Sequence, residues 1–98
     1  MTVNELIESA ENDRLAPADL SAEVTALWHT KAGNWEEAHN IAQDIPTPAG
    51  SWIHALLHLI EGDIGNAGYW FHKAGRPVRS ADEIDQLWQE IATQLMGG

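Results

Sequence analysis

The sequence predicts an all-α fold of about six helices, paired as antiparallel hairpins and stacked on one another. Three observations carry this expectation. The chain echoes itself: Ala26-Leu27-Trp28-His29 with Gly33 and Ala38 returns 29 residues later as Ala55-Leu56-Leu57-His58 with Gly62 and Ala67. Two capping boxes, Thr2 with Glu5 and Ser80 with Glu83, mark helix starts near each end. No stretch of useful length alternates apolar and polar residues as a strand would. A fixed period of this size marks helical hairpins that cannot bury their apolar faces alone and must stack.

Each element has its own warrant. A first helix over residues 3–13 follows the Thr2 cap and carries the stripe Val3, Leu6, Ile7 and Ala10. Pro17 can open a second helix, because the first turn needs no amide hydrogen there. Leu20, Val24, Leu27 and Trp28 give that helix a buried face, and Gly33 ends it. Asn34 caps a third helix from Trp35 to Asp44, which Pro46-Thr47-Pro48 stops. Ser51 opens a fourth, with Trp52, Ile53, Leu56, Leu57 and Ile60, and Gly62 closes it. Asp63 caps a fifth helix reaching Ala74, where Gly68 is expected to permit close helix packing. After the break at Gly75-Arg76-Pro77, a last helix over 80–96 carries Ile84, Leu87, Trp88, Ile91 and Leu95. The expected organisation is one domain, 1–98, with hairpins at 18–45 and 50–75 and flanking helices at 3–13 and 80–96.

Within the first hairpin, Lys31-Ala32-Gly33-Asn34-Trp35-Glu36-Glu37-Ala38 resembles the inter-helix turn of the tetratricopeptide repeat family. Glu61-Gly62-Asp63-Ile64-Gly65-Asn66-Ala67 matches that turn more loosely. The resemblance covers residues 20–77. The chain departs from the family in its period of 29 rather than 34, and in Ile64 at the turn aromatic. Neither first helix opens with the family's Trp-x-x-Leu-Gly. The same region is similar to small bacterial proteins with a GxW-EAH segment, a likeness that implies no activity. The repeat resemblance implies a short right-handed superhelix that binds a protein or peptide, with no catalytic residue to carry over.

Composition narrows the function further. The 98 residues hold 15 acids against 5 bases, a formal net charge of −10. Such a field repels nucleic acid and anionic membrane surfaces, so neither is an expected partner. Absence of cysteine removes disulfides, thiolate metal sites and cysteine nucleophiles, and suits a cytoplasmic location. The acidic start MTVNELIESAENDR does not read as a signal peptide. The apolar run Ile53–Ile60 is interrupted by histidines and too short to span a bilayer. No nucleophile elbow, P-loop, dinucleotide fingerprint or calcium loop is present, so no catalytic residue and no cofactor are expected.

The candidate binding residues are Trp52, Trp70, His54 and His58. Trp28 and Trp88 lie on apolar stripes and Trp35 in the turn-aromatic position, which assigns them to the core. Trp52 and Trp70 compete with Ile53, Leu56, Tyr69 and Phe71 to face inward, and are the two tryptophans to expect at a surface if any is exposed. His54 and His58 share one helix face at a spacing of four. The favoured reading packs them at the hairpin seam. The alternative is a metal- or ligand-binding protein, or an enzyme, in which they chelate an ion with His29, the repeat equivalent of His58, as third ligand. His39 and His72 are expected to be half-buried or solvated. Lys73, Arg76 and Arg79, with no acid between them, are a weaker candidate for holding an anion. The function expected overall is a protein-interaction module rather than an enzyme. A weak homodimer is compatible with it, with the uncovered end of the stack expected at the N-terminal helix.

Overall fold

A computed structural model describes residues 1–97. Six α-helices account for most of the chain: α1 Val3–Asn12, α2 Ala22–Ala32, α3 Trp35–Gln43, α4 Pro48–Ile60, α5 Ile64–Ala74 and α6 Ile84–Met96. A single 3₁₀ turn, Ala81–Glu83, leads into α6, and no strand occurs among the described residues.

The two capping boxes and the Asp63 cap form, whereas Asn34, expected to cap α3, makes no side-chain cap hydrogen bond and turns its side-chain amide to His29 instead. Thr2 and Ser80 each exchange hydrogen bonds with the glutamate three residues on. Two helix starts differ from expectation. α2 opens at Ala22, because Ser21 accepts the Val24 amide hydrogen and so serves as the cap. Pro17 lies before it in a turn. α4 opens three residues earlier than Ser51. Thr47 accepts the Gly50 amide hydrogen, and Pro48 occupies the first turn, where proline costs nothing.

The sequence echo is reproduced in the turns. Gly33 and Gly62 both adopt left-handed backbone, φ 87° and 84°. The Asn34 amide donates to the His29 carbonyl at 2.8 Å, and its equivalent Asp63 donates to the His58 carbonyl at 3.0 Å. Ala38 and Ala67, which follow these turns, are both buried.

α4 is the centre of the molecule. It contacts α2, α3, α5 and α6, and every residue from Trp52 to Leu59 is buried. A helix apolar on all sides requires cover on all sides. Three indoles tie the other helices together. Trp28 Nε1 donates to Ser9 Oγ, Trp35 Nε1 to the Leu57 carbonyl, and Trp88 Nε1 to the Leu27 carbonyl. α6 returns across α1, α2 and α4. The N-terminal helix is therefore covered, with Val3, Leu6 and Ala10 buried, contrary to the uncovered N-terminal end expected from sequence. α5 packs chiefly on α4 instead, leaving Ile64 and Tyr69 exposed.

Gly68 does not mediate close packing, since a Cβ there would meet nothing within 4 Å. Gly50 does. A Cβ on Gly50 would lie 2.5 Å from the Ile45 carbonyl oxygen and 2.7 Å from the Ile45 Cβ.

Candidate metal centre

The most concentrated chemistry lies where α3 and α5 flank α4. α4 supplies His54 and His58, one turn apart and stacked with ring centroids 4.8 Å apart. α3 supplies His39, whose ring meets His54 edge-on at 4.5 Å and His58 at 5.3 Å. Each of the three offers a ring nitrogen, and these nitrogens lie within 4.8 Å of one another.

Two tryptophans wall the cluster. Trp70 of α5 lies flat on His54, centroids 3.9 Å apart and planes 11° apart. Trp35 lies flat on His39 at 4.8 Å, while its Nε1 is fixed by the Leu57 carbonyl. The turn aromatic of the first hairpin thus steers a histidine of its own helix, four residues on.

Burial sets the protonation states. His54 is 5% exposed, and its Nδ1 has no hydrogen-bond partner among the described residues. Desolvation, reinforced by His39, His58 and Lys73 nearby, pushes its pKa down to about 4. Desolvation, with His58 next in weight, lowers His39 as well. Both rings are therefore neutral at pH 7, with a lone pair free to bind a cation.

His58 is oriented from outside. The Glu61 carboxylate accepts a hydrogen bond from its Nδ1 at 2.6 Å, which puts the proton on Nδ1 and frees Nε2. Glu61 and Asp63 also form a second, more exposed group with His58, sharing that single buried residue.

Of the residues singled out in the sequence, His54, His58 and Trp70 meet here. His29 does not. Its ring packs edge-on to Trp28, and its Nδ1 accepts from the Asn34 side chain at 3.2 Å. The helix carrying it presents it to the first turn, and the third imidazole is His39. Trp52 is also elsewhere, 6% exposed beneath the Arg76 guanidinium at 3.8 Å, so it is not a surface tryptophan. Trp70 is only half-buried, with Lys73 Nζ 5.0 Å from its ring centroid. Arg79, from the basic segment, is engaged by Glu83 and Glu90. His72 is exposed. The sequence signal that could have found His39 was its spacing of four from Trp35, which places it over the turn aromatic on the side facing α4.

Comparison of the chain with known protein families, curated proteins and solved structures gives no match. No helix among the described residues is long and apolar enough to cross a membrane.

Proposed function

We propose that this protein binds a divalent transition-metal ion, zinc before copper or nickel, through His39, His54 and His58. The observation that carries the reading is the buried, partnerless Nδ1 of His54 inside a cluster of three imidazoles. A buried polar atom without a partner costs about 1–3 kcal/mol. Of the three imidazoles it is His54 that carries such an atom, and an ion held by the cluster would offset that cost. Imidazole nitrogen suits zinc, copper and nickel, and the absence of cysteine from the chain and of a buried carboxylate among the described residues disfavours softer or harder ions.

Tetrahedral zinc with bonds of about 2.05 Å needs ligand nitrogens about 3.3 Å apart. The three nitrogens lie within 4.8 Å of one another, so binding requires them to draw closer around the ion. Glu61 on His58 supplies the outer hydrogen bond that metal-bound histidines need. Calorimetry with zinc chloride at pH 7 tests the reading. One ion per chain is expected, lost in His54→Ala and retained in His29→Ala. No heat and no change in melting temperature with zinc would overturn it.

A second reading keeps the protein as a helical interaction module, supported by the exposed apolar side chains of α5, Ile64 at 53% and Tyr69 at 58%. Light scattering across a concentration series tests it for a homodimer, which Tyr69→Glu should dissociate. A strict monomer at every concentration removes the dimer. A cytoplasmic location belongs to either reading and accords with a chain lacking cysteine.

A further inference from the structure

We infer that the ion on His39, His54 and His58 keeps an open coordination position that a small monoanion from solution fills, which makes the centre a Lewis-acidic binding site rather than a structural staple. The inference rests on the metal-binding reading above. It is carried by the number and placement of the donors. Only three side chains bring ligand atoms together at this point among the described residues. Structural zinc sites close with four protein ligands, whereas sites that take up exogenous ligands hold three.

The nearest further donors do not join the set. Glu61 and Asp63 group with His58 but not with His39 or His54. Glu61 also spends its carboxylate on His58 Nδ1, and turning toward the ion would break that 2.6 Å bond. The solvent-facing edge of the cluster is His39. His54 and His58 are buried on α4, but His39 is half-buried and Glu61, beyond His58, is exposed.

Charge selects the class of ligand. Metal-bound imidazoles are neutral. Three of them leave the ion its full double charge, and the local sign of a site follows its bound cation. Lys73, close enough to influence His54 and lying over the outer face of Trp70, adds a second positive charge beside the cluster. Glu61 and Asp63, which group with His58, oppose it; a doubly charged ion and Lys73 against these two carboxylates leave one net positive charge, which a monoanion neutralises. The chemical class is therefore a small monoanion with one oxygen or nitrogen donor, such as a carboxylate.

Cobalt(II) substituted into the full chain makes this measurable, because its visible bands report the ligand set. Addition of sodium azide should shift those bands saturably, and His54→Ala should lose the bands altogether. Bands that do not respond to azide in the parent chain but do respond in Glu61→Gln would show that Glu61 fills the position, and would overturn the inference while leaving the metal reading intact. Bands indifferent to azide in both proteins would also overturn it. Failure of cobalt(II), and of zinc in the calorimetry, to bind at all would overturn the metal reading and this inference with it.

Discussion

His54 sits where burial and two neighbouring imidazoles all oppose a proton. In the unfolded chain it protonates near 6.5, and in the fold near 4. Between those values the unfolded state holds more protons, so stability is complete above pH 6.5 and falls as the pH drops toward 4. The full effect is on the order of 3 kcal/mol, with His39 acting in the same direction. Urea midpoints from pH 7.5 to 4 should therefore decline in the parent chain and decline less in His54→Phe. Equal slopes would remove His54 as the cause. This part of the site was half legible in the sequence. The pair His54 and His58 is visible as two polar residues in an otherwise apolar run, at a spacing that fixes a common face. Their third partner was not, because repeat equivalence pointed to His29, and equivalence of backbone position is not equivalence of contact. His29 faces its own turn, while His39 reaches across from a different helix by virtue of Trp35 beneath it.

At the scale of elements, glycines separate by what surrounds them. Gly50→Ala should destabilise by about 1–3 kcal/mol, since its methyl group meets Ile45 backbone and Cβ that have little room to retreat. Gly68→Ala, in the interior of α5 and facing open space, should stabilise by about 0.5–1 kcal/mol. Chemical denaturation of the two variants checks both signs. The helices themselves were read almost fully from caps, stripes and breaks, because those signals are local. The misplaced starts of α2 and α4 share one cause: Pro17 and Ser51 were credited with opening a helix, while Ser21 and Thr47, whose hydroxyls do accept the orphan amides, were passed over. Gly68 was misassigned for a different reason. Packing partners of a helix face depend on tertiary arrangement, which no local pattern contains.

Over the whole molecule, the arrangement around α4 decides how the parts respond together. An ion on α3 and α4 would add a further tie between two elements that already meet through side-chain packing and the Trp35–Leu57 hydrogen bond, so its binding must appear as stability. At zinc one-hundredfold above its dissociation constant the gain is about 2.7 kcal/mol, or about 10–20 °C in melting temperature for a chain of this size. A chelator should reverse it, and His39→Ala should abolish it. α5, held chiefly by α4, should exchange its amide hydrogens sooner than α4 or α6. The molecule's charge of −10 concentrates cations near its surface and repels phosphate chains, so no gel shift of DNA or RNA is expected at 150 mM salt, a condition set on the order of physiological ionic strength.

The flat contact between Trp70 and His54, 3.9 Å between centroids, has an optical consequence. An excited indole gives up an electron readily to a protonated imidazole or to a copper(II) ion beside it, and its emission is quenched. Trp35 on His39 forms a second such pair. The protein therefore contains its own fluorophores at the point where a proton or a metal would arrive. Emission that dims on copper(II) addition in the parent chain, and dims less in Trp70→Phe, would let occupancy be followed in the untagged protein without any added dye.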